Sequence, residues 1–157
     1  MYKQESYLRI GRQLLGRTSG ETDILANLCN ICAILMEHIQ DISWVGFYYV
    51  NGQQLMLGPF QGRSACTRIM MGKGVCGTCA AEDRPIVVPD VNKFPGHIAC
   101  DIRSKSEIVV PVHLNGKVVM VIDIDSTSKN RFDDVDEEML LDVAAFVEDI
   151  IEKGLGR

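Results

Sequence analysis

The sequence predicts an α+β domain in which helices pack on a central, mainly antiparallel sheet of about six strands. The dipeptides Asn51-Gly52 and Asn115-Gly116 each separate two runs rich in β-branched or aromatic residues, as in two-residue β-hairpins. Segments near both ends of the chain repeat apolar residues at spacings of three and four, which is typical of helices that bury one face. Because hairpins make antiparallel neighbours, this pattern does not fit a doubly wound parallel sheet.

Four helices are predicted. The most periodic one has Thr22 as its N-cap, and both Cys29 and Cys32 fall on its apolar stripe. The last one opens at Asp134, where the run Asp-Val-Asp-Glu imitates a capping box. In chain order, the predicted helices cover residues 5–16, 22–39, 75–82 and 134–153.

The strand signals leave two stretches without a regular pattern. Residues 61–73 show no clear period, and residues 90–106 form a long irregular segment, which in a compact domain is usually functional or disordered. The predicted strands are, in chain order, 43–50, 53–60, 85–88, 108–114 and 117–125.

Length and charge limit the class of protein. The chain of 157 residues has no internal repeat or linker, so residues 1–157 are expected to form one domain. The 16 Lys and Arg residues face 21 Asp and Glu residues, and the net charge of −5 argues against nucleic acid or an anionic membrane surface as a partner. No apolar run reaches the ~20 residues that cross a bilayer, and the N-terminus lacks an apolar signal segment. We therefore expect a cytoplasmic protein whose thiols are kept reduced.

Six cysteines in such a chain need an explanation. Cys29 and Cys32 fit burial in the core. Cys76-Gly-Thr-Cys79 fits a redox couple or half of a zinc site, although a zinc site shared with Cys29 and Cys32 would need an unusually long gap between the pairs.

Cys66 and Cys100 each lie alone in an irregular segment. Polar or small residues flank both, and His97, Arg103 and Lys105 lie close enough in sequence to Cys100 to favour its thiolate. A reactive loop cysteine and an incidental surface thiol both remain open on this pattern.

Carboxylates gather at the end of the last predicted strand. Asp123 and Asp125 share one strand face, and Glu107 begins the strand that pairs with it. Either this strand end meets water, or the carboxylates form the rim of a pocket for a cation such as an amino group.

Aromatic residues alternate on the strand over residues 43–50. Trp44, Gly46 and Tyr48 share one face, while Val45 and Phe47 share the other. Since both faces are apolar, we expect one to contact helices and the other to contact a covering loop or a ligand. Gly46, between two aromatic residues, would leave room for that loop or ligand. The alternative is that Trp44 simply packs in the core.

Several of these segments together resemble the free methionine-(R)-sulfoxide reductases, which are built on a GAF domain. The most specific is FPGHIACD at residues 94–101, which a generic sensory GAF domain is not expected to carry. The similarity runs over nearly the whole chain. The other matching segments are 44–48, 74–77, 90–91, 104–111 and 123–126.

The resemblance implies a GAF-like catalytic domain that reduces free L-methionine (R)-sulfoxide to methionine, with thioredoxin as reductant and no metal or organic cofactor. It places the nucleophile on Cys100, the main resolving cysteine on Cys66 and the third cysteine on Cys76. It places the aromatic wall of the substrate pocket on Trp44 and Tyr48.

The same resemblance places the acidic binding and polarising residues on Glu107, Asp123 and Asp125, with Glu107 and Asp125 also candidates for catalysis. Cys79 lies outside the family pattern, and family members are generally homodimers. The competing function is a GAF domain that senses a small molecule without catalysis, which would not depend on Cys100.

The chemistry of these residues agrees with the resemblance. A Cys100 thiolate attacks the sulfoxide sulfur while a neighbouring acid assists departure of the oxygen, and the resulting sulfenic acid condenses with Cys66. An external dithiol then reduces the disulfide by exchange. We therefore predict that Cys66 and Cys100 lie within disulfide reach.

The second hairpin conflicts with a shared acidic pocket. A regular two-residue turn at Asn115-Gly116 would pair Glu107 with Ile124, on the sheet face opposite Asp125. One bulge or an odd-length turn would bring Glu107 and Asp125 to the same face. We predict such an irregularity, with all three carboxyl groups in one cavity together with Trp44, Tyr48 and Cys100.

Overall fold

The fold is that of a computed structural model, which describes residues 2–156. Within these residues the chain forms four α-helices, six strands and a short 3-10 helix at Val91–Lys93. The helices are α1 (Tyr2–Thr18), α2 (Ile24–His38), α3 (Gly74–Glu82) and α4 (Asp134–Gly154). The strands are β1 (Trp44–Asn51), β2 (Gln54–Gln61), β3 (Arg68–Met70), β4 (Ile86–Val88), β5 (Ser106–Leu114) and β6 (Lys117–Ser126).

The six strands form one sheet in the order β3-β2-β1-β6-β5-β4, and every neighbouring pair is antiparallel. The predicted α+β class is therefore confirmed. The three-residue strand β3 was not predicted, because so short a segment cannot display the alternation on which strand prediction depends.

The sheet separates two apolar clusters. The larger one joins α1, α2 and α4 to the sheet face that carries Val45 and Phe47. The smaller one joins α3 to the opposite face, which carries Trp44 and Tyr48. The predicted division of β1 into a helix-facing side and a covered pocket side is confirmed. None of the helices described within residues 2–156 has both the length and the apolar character to cross a bilayer.

Two helix starts differ from the sequence prediction. The N-cap of α2 is Asp23, whose side chain accepts a hydrogen bond from the Ala26 N–H, and Thr22 is one position too early. The capping box of α4 begins at Asp133 rather than Asp134: Asp133 and Asp136 each accept the other's backbone N–H. Clusters of Asp and Thr make the exact cap ambiguous in sequence.

The predicted burial of Cys29 is wrong. Cys29 is exposed, whereas Cys32 is buried and lies on the helix-facing side of the sheet. The buried stripe of α2 runs through Leu28, Ile31 and Leu35. Cys29 follows Leu28 by about 100° around the helix and so turns away from this stripe.

A bulge in the β5–β6 hairpin sets the register of the acidic residues. The two-residue turn is regular, but the register shifts by one residue between His113 and Val112, which leaves Val119 as the extra residue. Beyond the bulge, Glu107 lies opposite Asp125. The predicted irregularity is therefore confirmed, and both carboxyl groups are on the α3 side of the sheet.

Candidate active site

Three neighbouring strands bring aromatic and acidic side chains into one row. Trp44 of β1 lies opposite Asp125 of β6, which lies opposite Glu107 of β5. In the adjacent row, Gly46 lies opposite Asp123. Since directly paired residues point to the same face of a sheet, the row directs its side chains to the side covered by α3.

These side chains line a cavity of about 50 Å³. The predicted geometry is confirmed: all three carboxyl groups line the same cavity as the two aromatic residues and Cys100. Its other walls come from α3, from the segment before β3 and from the loop before β5. The predicted residues in the lining are Trp44, Tyr48, Cys76, Cys100, Glu107, Asp123 and Asp125.

A disulfide between Cys66 and Cys100 joins the two covering segments. The Cα atoms are 5.4 Å apart, within the usual range for a disulfide. The predicted proximity of these two cysteines is therefore confirmed. The bond ties the segment before β3 to the loop before β5, so it restrains the two parts of the chain that cover the sheet.

Two aromatic side chains of β1 donate hydrogen bonds to the segment that carries Cys66. The Tyr48 hydroxyl donates a hydrogen bond to the carbonyl oxygen of Cys66 at 2.8 Å, and the indole Nε1–H of Trp44 donates to the carbonyl of Arg63 at 3.1 Å. Trp44 also stacks on Phe60, with ring centroids 5.3 Å apart. The pocket wall and the support of the Cys66 segment are thus the same residues.

Gly46 allows the Trp44 indole to lie across β1. A Cβ atom at position 46 would lie 2.5 Å from the indole Cη2 and 2.5 Å from the Phe60 Cβ. A side chain there would displace the indole, since real Cβ atoms do not approach other atoms so closely. The space beside Gly46 is therefore filled by the Trp44 side chain and is not open to a ligand.

Burial separates the protonation states of the three carboxyl groups. Burial raises the pKa of Asp123 to about 6, against the opposing effect of hydrogen bonding from Glu107 and Cys76. The pKa of Glu107 and that of Asp125 are raised well above the ordinary range, first by burial and then by the charge of Asp123. Asp123 is therefore the first of the three to ionise, and its negative charge favours the neutral form of Glu107 and Asp125.

Cys76 and His97 complete the polar surroundings of Glu107. The Cys76 Sγ lies 4.0 Å from Glu107 Oε1, and burial together with the nearby carboxyl groups raises the pKa of this thiol well above its usual value. His97 Nε2 lies 3.9 Å from Glu107 Oε2, and burial lowers the pKa of its imidazole. Both groups therefore favour their neutral forms, and Cys76 is a poor nucleophile in this state.

A zinc site made by all four remaining cysteines is excluded by the fold. Cys32 belongs to the cluster on the helix-facing side of the sheet, whereas Cys76 and Cys79 belong to the cluster on the opposite side. The donor set within reach of one metal ion is instead Cys76, Glu107 and Asp123, whose ligand atoms lie within 4.8 Å of one another.

Arg103, one of the three basic residues near Cys100 in sequence, is paired with Asp101. Its guanidinium binds the Asp101 carboxylate at 2.8 Å, and its backbone N–H donates to the same side chain, so it closes the turn after Cys100. An Asp followed two residues later by a backbone donor is an Asx-turn pattern and was readable from the sequence. Ile98 and Val75, which also line the cavity, carried no such signal because their positions depend on the loop and on α3.

Comparisons with known proteins point in one direction. A family model described as GAF domain matches residues 18–152. The chain is 48% identical to protein YtsP of Bacillus subtilis, covering 93% of this chain and 91% of that protein. It is 45% identical to free methionine-R-sulfoxide reductase of Escherichia coli, covering 96% and 92%. The structure of free methionine-R-sulfoxide reductase from Neisseria meningitidis in complex with its substrate superimposes with a TM-score of 0.92 at 41% identity, covering 96% of this chain and 90% of that one.

Proposed function

This chain belongs to the free methionine-R-sulfoxide reductase family of GAF-domain proteins, and we propose that it reduces free L-methionine (R)-sulfoxide to L-methionine. The observation that carries the proposal is the Cys66–Cys100 disulfide, with Cys100 in the wall of a pocket that contains buried acids. This disulfide is the product that a thiol-dependent reduction leaves behind.

Cys100 is the nucleophile in the proposed cycle. Its sulfur attacks the sulfoxide sulfur, and the oxygen passes to Cys100. Methionine leaves, and Cys100 becomes a sulfenic acid. The Cys66 thiol then attacks this sulfenic acid, which forms the disulfide and releases water. The 5.4 Å separation of the two Cα atoms supports direct condensation without a further cysteine.

The neutral acids supply the proton that the sulfoxide oxygen requires. Glu107 and Asp125 lie opposite each other on β5 and β6, and burial raises the pKa of both, which favours their protonated forms. A neutral carboxylic acid can donate to the sulfoxide oxygen and make the sulfur more electrophilic, which an ionised carboxylate cannot do.

Asp123 carries the complementary charge for the free amino acid. Its carboxylate pairs with the α-ammonium group, while Trp44 and Tyr48 enclose the methyl end of the side chain. A methionine within a polypeptide has no α-ammonium group, so this arrangement selects the free amino acid.

Thioredoxin is the proposed reductant. Its dithiol exchanges with the Cys66–Cys100 disulfide and returns both thiols to the reduced state. A cycle of this kind needs a compartment that maintains reduced thioredoxin, and we therefore assign the protein to the cytoplasm.

A homodimer is proposed from the apolar groove between α1 and α4. The groove has a volume of about 500 Å³, and Leu8 and Leu15 in its wall are 66% and 64% exposed. A contiguous apolar patch of this kind is typical of an interface. Light scattering is expected to give a dimer for the wild type and a monomer for Leu8→Glu with Leu15→Glu; an unchanged mass would contradict this interface.

The function is tested by supplying free racemic methionine sulfoxide with thioredoxin, its reductase and NADPH, and measuring methionine. The wild type is expected to consume only the R epimer and to leave peptide-bound methionine sulfoxide unchanged. Cys100→Ser should be inactive, whereas Cys29→Ser, which changes an exposed cysteine away from the pocket, should retain full activity. Binding of methionine sulfoxide without turnover by the wild type would instead support a sensing GAF domain.

A further inference from the structure

We propose that the floor of the pocket also binds one zinc ion, held by the sulfur of Cys76 and the carboxyl oxygens of Glu107 and Asp123, which release their protons to solvent when the metal binds. The site is available in the disulfide form, because none of its three ligands takes part in the Cys66–Cys100 bond. If the pocket binds methionine sulfoxide as proposed above, zinc at this position excludes the substrate.

The three ligands come from three rigid elements. Cys76 lies in α3, Glu107 in β5 and Asp123 in β6, and all three residues are buried. Their donor atoms are already within 4.8 Å of one another, with 4.0 Å between Cys76 Sγ and Glu107 Oε1. Ligands on one tetrahedral zinc lie roughly 3.5 Å apart, given bonds of about 2.0–2.3 Å. Small side-chain rotations are therefore enough to close the site.

An unpartnered oxygen supports a ligand at this position independently. Asp123 is only 6% exposed, and its buried oxygen Oδ1 has no hydrogen-bond partner among the described residues. Buried carboxylate oxygens are almost always satisfied, and one that points into a cavity indicates a missing cation or donor.

The donor set selects zinc over the common hard cations. Calcium and magnesium prefer sites made entirely of oxygen ligands, whereas a thiolate with two carboxylates suits the borderline-soft zinc ion. A cavity of about 50 Å³ holds an ion with a few water molecules. Three protein ligands would leave one zinc position open for water.

The binding test uses metal-free protein in the disulfide form, titrated with zinc chloride in a calorimeter. One ion is expected per chain, and Cys76→Ser and Asp123→Asn should each weaken binding by about tenfold or more. Cobalt(II) as an optical probe should give a thiolate charge-transfer band that Cys76→Ser abolishes. Cys79→Ser is the matched control, because it removes a buried cysteine one turn further along α3 and should leave zinc binding unchanged.

The proposal is overturned if the wild type binds no zinc, or if Cys76→Ser binds it as tightly as the wild type. Loss of binding in Cys79→Ser or Cys29→Ser would also overturn it, since it would place the ion elsewhere. Circular dichroism checks the fold of each variant, and Glu107→Gln replaces any variant that unfolds, with the same expected weakening.

Substrate exclusion is tested separately with Cys100→Ser, which cannot turn over. Methionine sulfoxide should raise the apparent dissociation constant for zinc, and an unchanged constant would overturn exclusion. Binding of methionine sulfoxide to the same variant without zinc is measured in parallel. Absence of that binding would mean that the proposed function fails and exclusion fails with it, whereas failure of the zinc site would appear as absent zinc binding in the titration without substrate.

Discussion

Three carboxyl groups in one pocket act differently because their surroundings differ. Asp123 is the first of the three to ionise, with its pKa raised to about 6, while burial and the charge of Asp123 raise the pKa of Glu107 and of Asp125 well above their ordinary range. One negative charge among buried acids opposes ionisation of the others. In the proposed function, a single cluster therefore provides both an anion for the ammonium group and a proton donor for the sulfoxide oxygen.

Substitutions that keep the shape of each side chain should separate these two roles. Glu107→Gln removes a proton donor and is expected to lower kcat by about 10²–10⁴ with a smaller change in KM. Asp123→Asn removes the charge for the ammonium group and should mainly raise KM. Steady-state kinetics on free methionine (R)-sulfoxide distinguish the two, and a Glu107→Gln enzyme with wild-type kcat would remove Glu107 from catalysis.

His113 offers a residue-scale test of pH dependence away from the pocket. Its Nδ1 lies 3.0 Å from Glu148 of α4, and its Nε2 lies 2.6 Å from Asp83 at the end of α3. Burial lowers the pKa of His113, but the hydrogen bonds and charges of the two carboxylates outweigh this effect and raise the pKa overall.

Because the folded-state pKa is raised, the charged His113 stabilises the folded protein fully below the unfolded pKa of about 6.5. This contribution is lost as the pH rises through the higher folded-state value. For a partly exposed group it amounts to about 1 kcal/mol or less. The Tm advantage of the wild type over His113→Gln should therefore shrink between pH 6 and pH 8, by about 2–4 °C at most. An advantage that grows with pH would contradict this assignment.

At the scale of elements, β1 links the cavity to the segment that carries Cys66. The Tyr48 ring lines the pocket while its hydroxyl holds the Cys66 carbonyl. The wall of the cavity and the position of Cys66 therefore depend on the same strand, and so would substrate binding in the proposed function.

Tyr48→Phe should separate these two functions, because it keeps the ring and removes one hydrogen bond worth about 1 kcal/mol. Formation of methionine in a single turnover should change little, while formation of the Cys66–Cys100 disulfide should slow by about fivefold. Quenched-flow sampling with thiol alkylation measures both steps. Equal slowing of both steps would mean that the hydroxyl acts on the substrate instead.

The hairpin and α2 show what the sequence could predict at this scale. The turn dipeptide fixed where β5 and β6 meet, and the need for Glu107 and Asp125 to share a face required one irregularity, which occurs at Val119. The resemblance to the reductase family thus predicted a bulge that local propensity did not reveal. The burial of Cys29 was mispredicted because small apolar residues surround α2 on more than one side, so the composition alone did not define the buried stripe.

Other parts of the site depend on long-range packing that no local pattern encodes. The contact between Cys76 and Glu107 requires α3 to lie over β5, and that packing follows from the whole sheet order. The protonation of the carboxyl groups likewise follows from burial, which appears only when the covering loops and α3 are in place.

At the scale of the whole molecule, the larger apolar core and the cavity lie on opposite faces of the sheet. The helix-facing side contains the larger apolar core, while the opposite side carries the acids, the aromatic wall and the disulfide-linked segments. We therefore expect that a rearrangement of the covering segments would leave the packing of α1, α2 and α4 unchanged.

The redox state should control access to the pocket. In the disulfide form the cavity of about 50 Å³ has room for a few water molecules, since each needs about 10–15 Å³ of such volume, and an entire amino acid is larger. Reduction releases the segment before β3 from the loop before β5, so the pocket can open. Calorimetry should therefore show that Cys100→Ser, which cannot form the bond, binds methionine (R)-sulfoxide at least about tenfold more tightly than the disulfide form, a difference of about 1.4 kcal/mol. Equal affinities would mean that the covering segments open without reduction, and that the disulfide serves only to store the oxidised state until thioredoxin removes it.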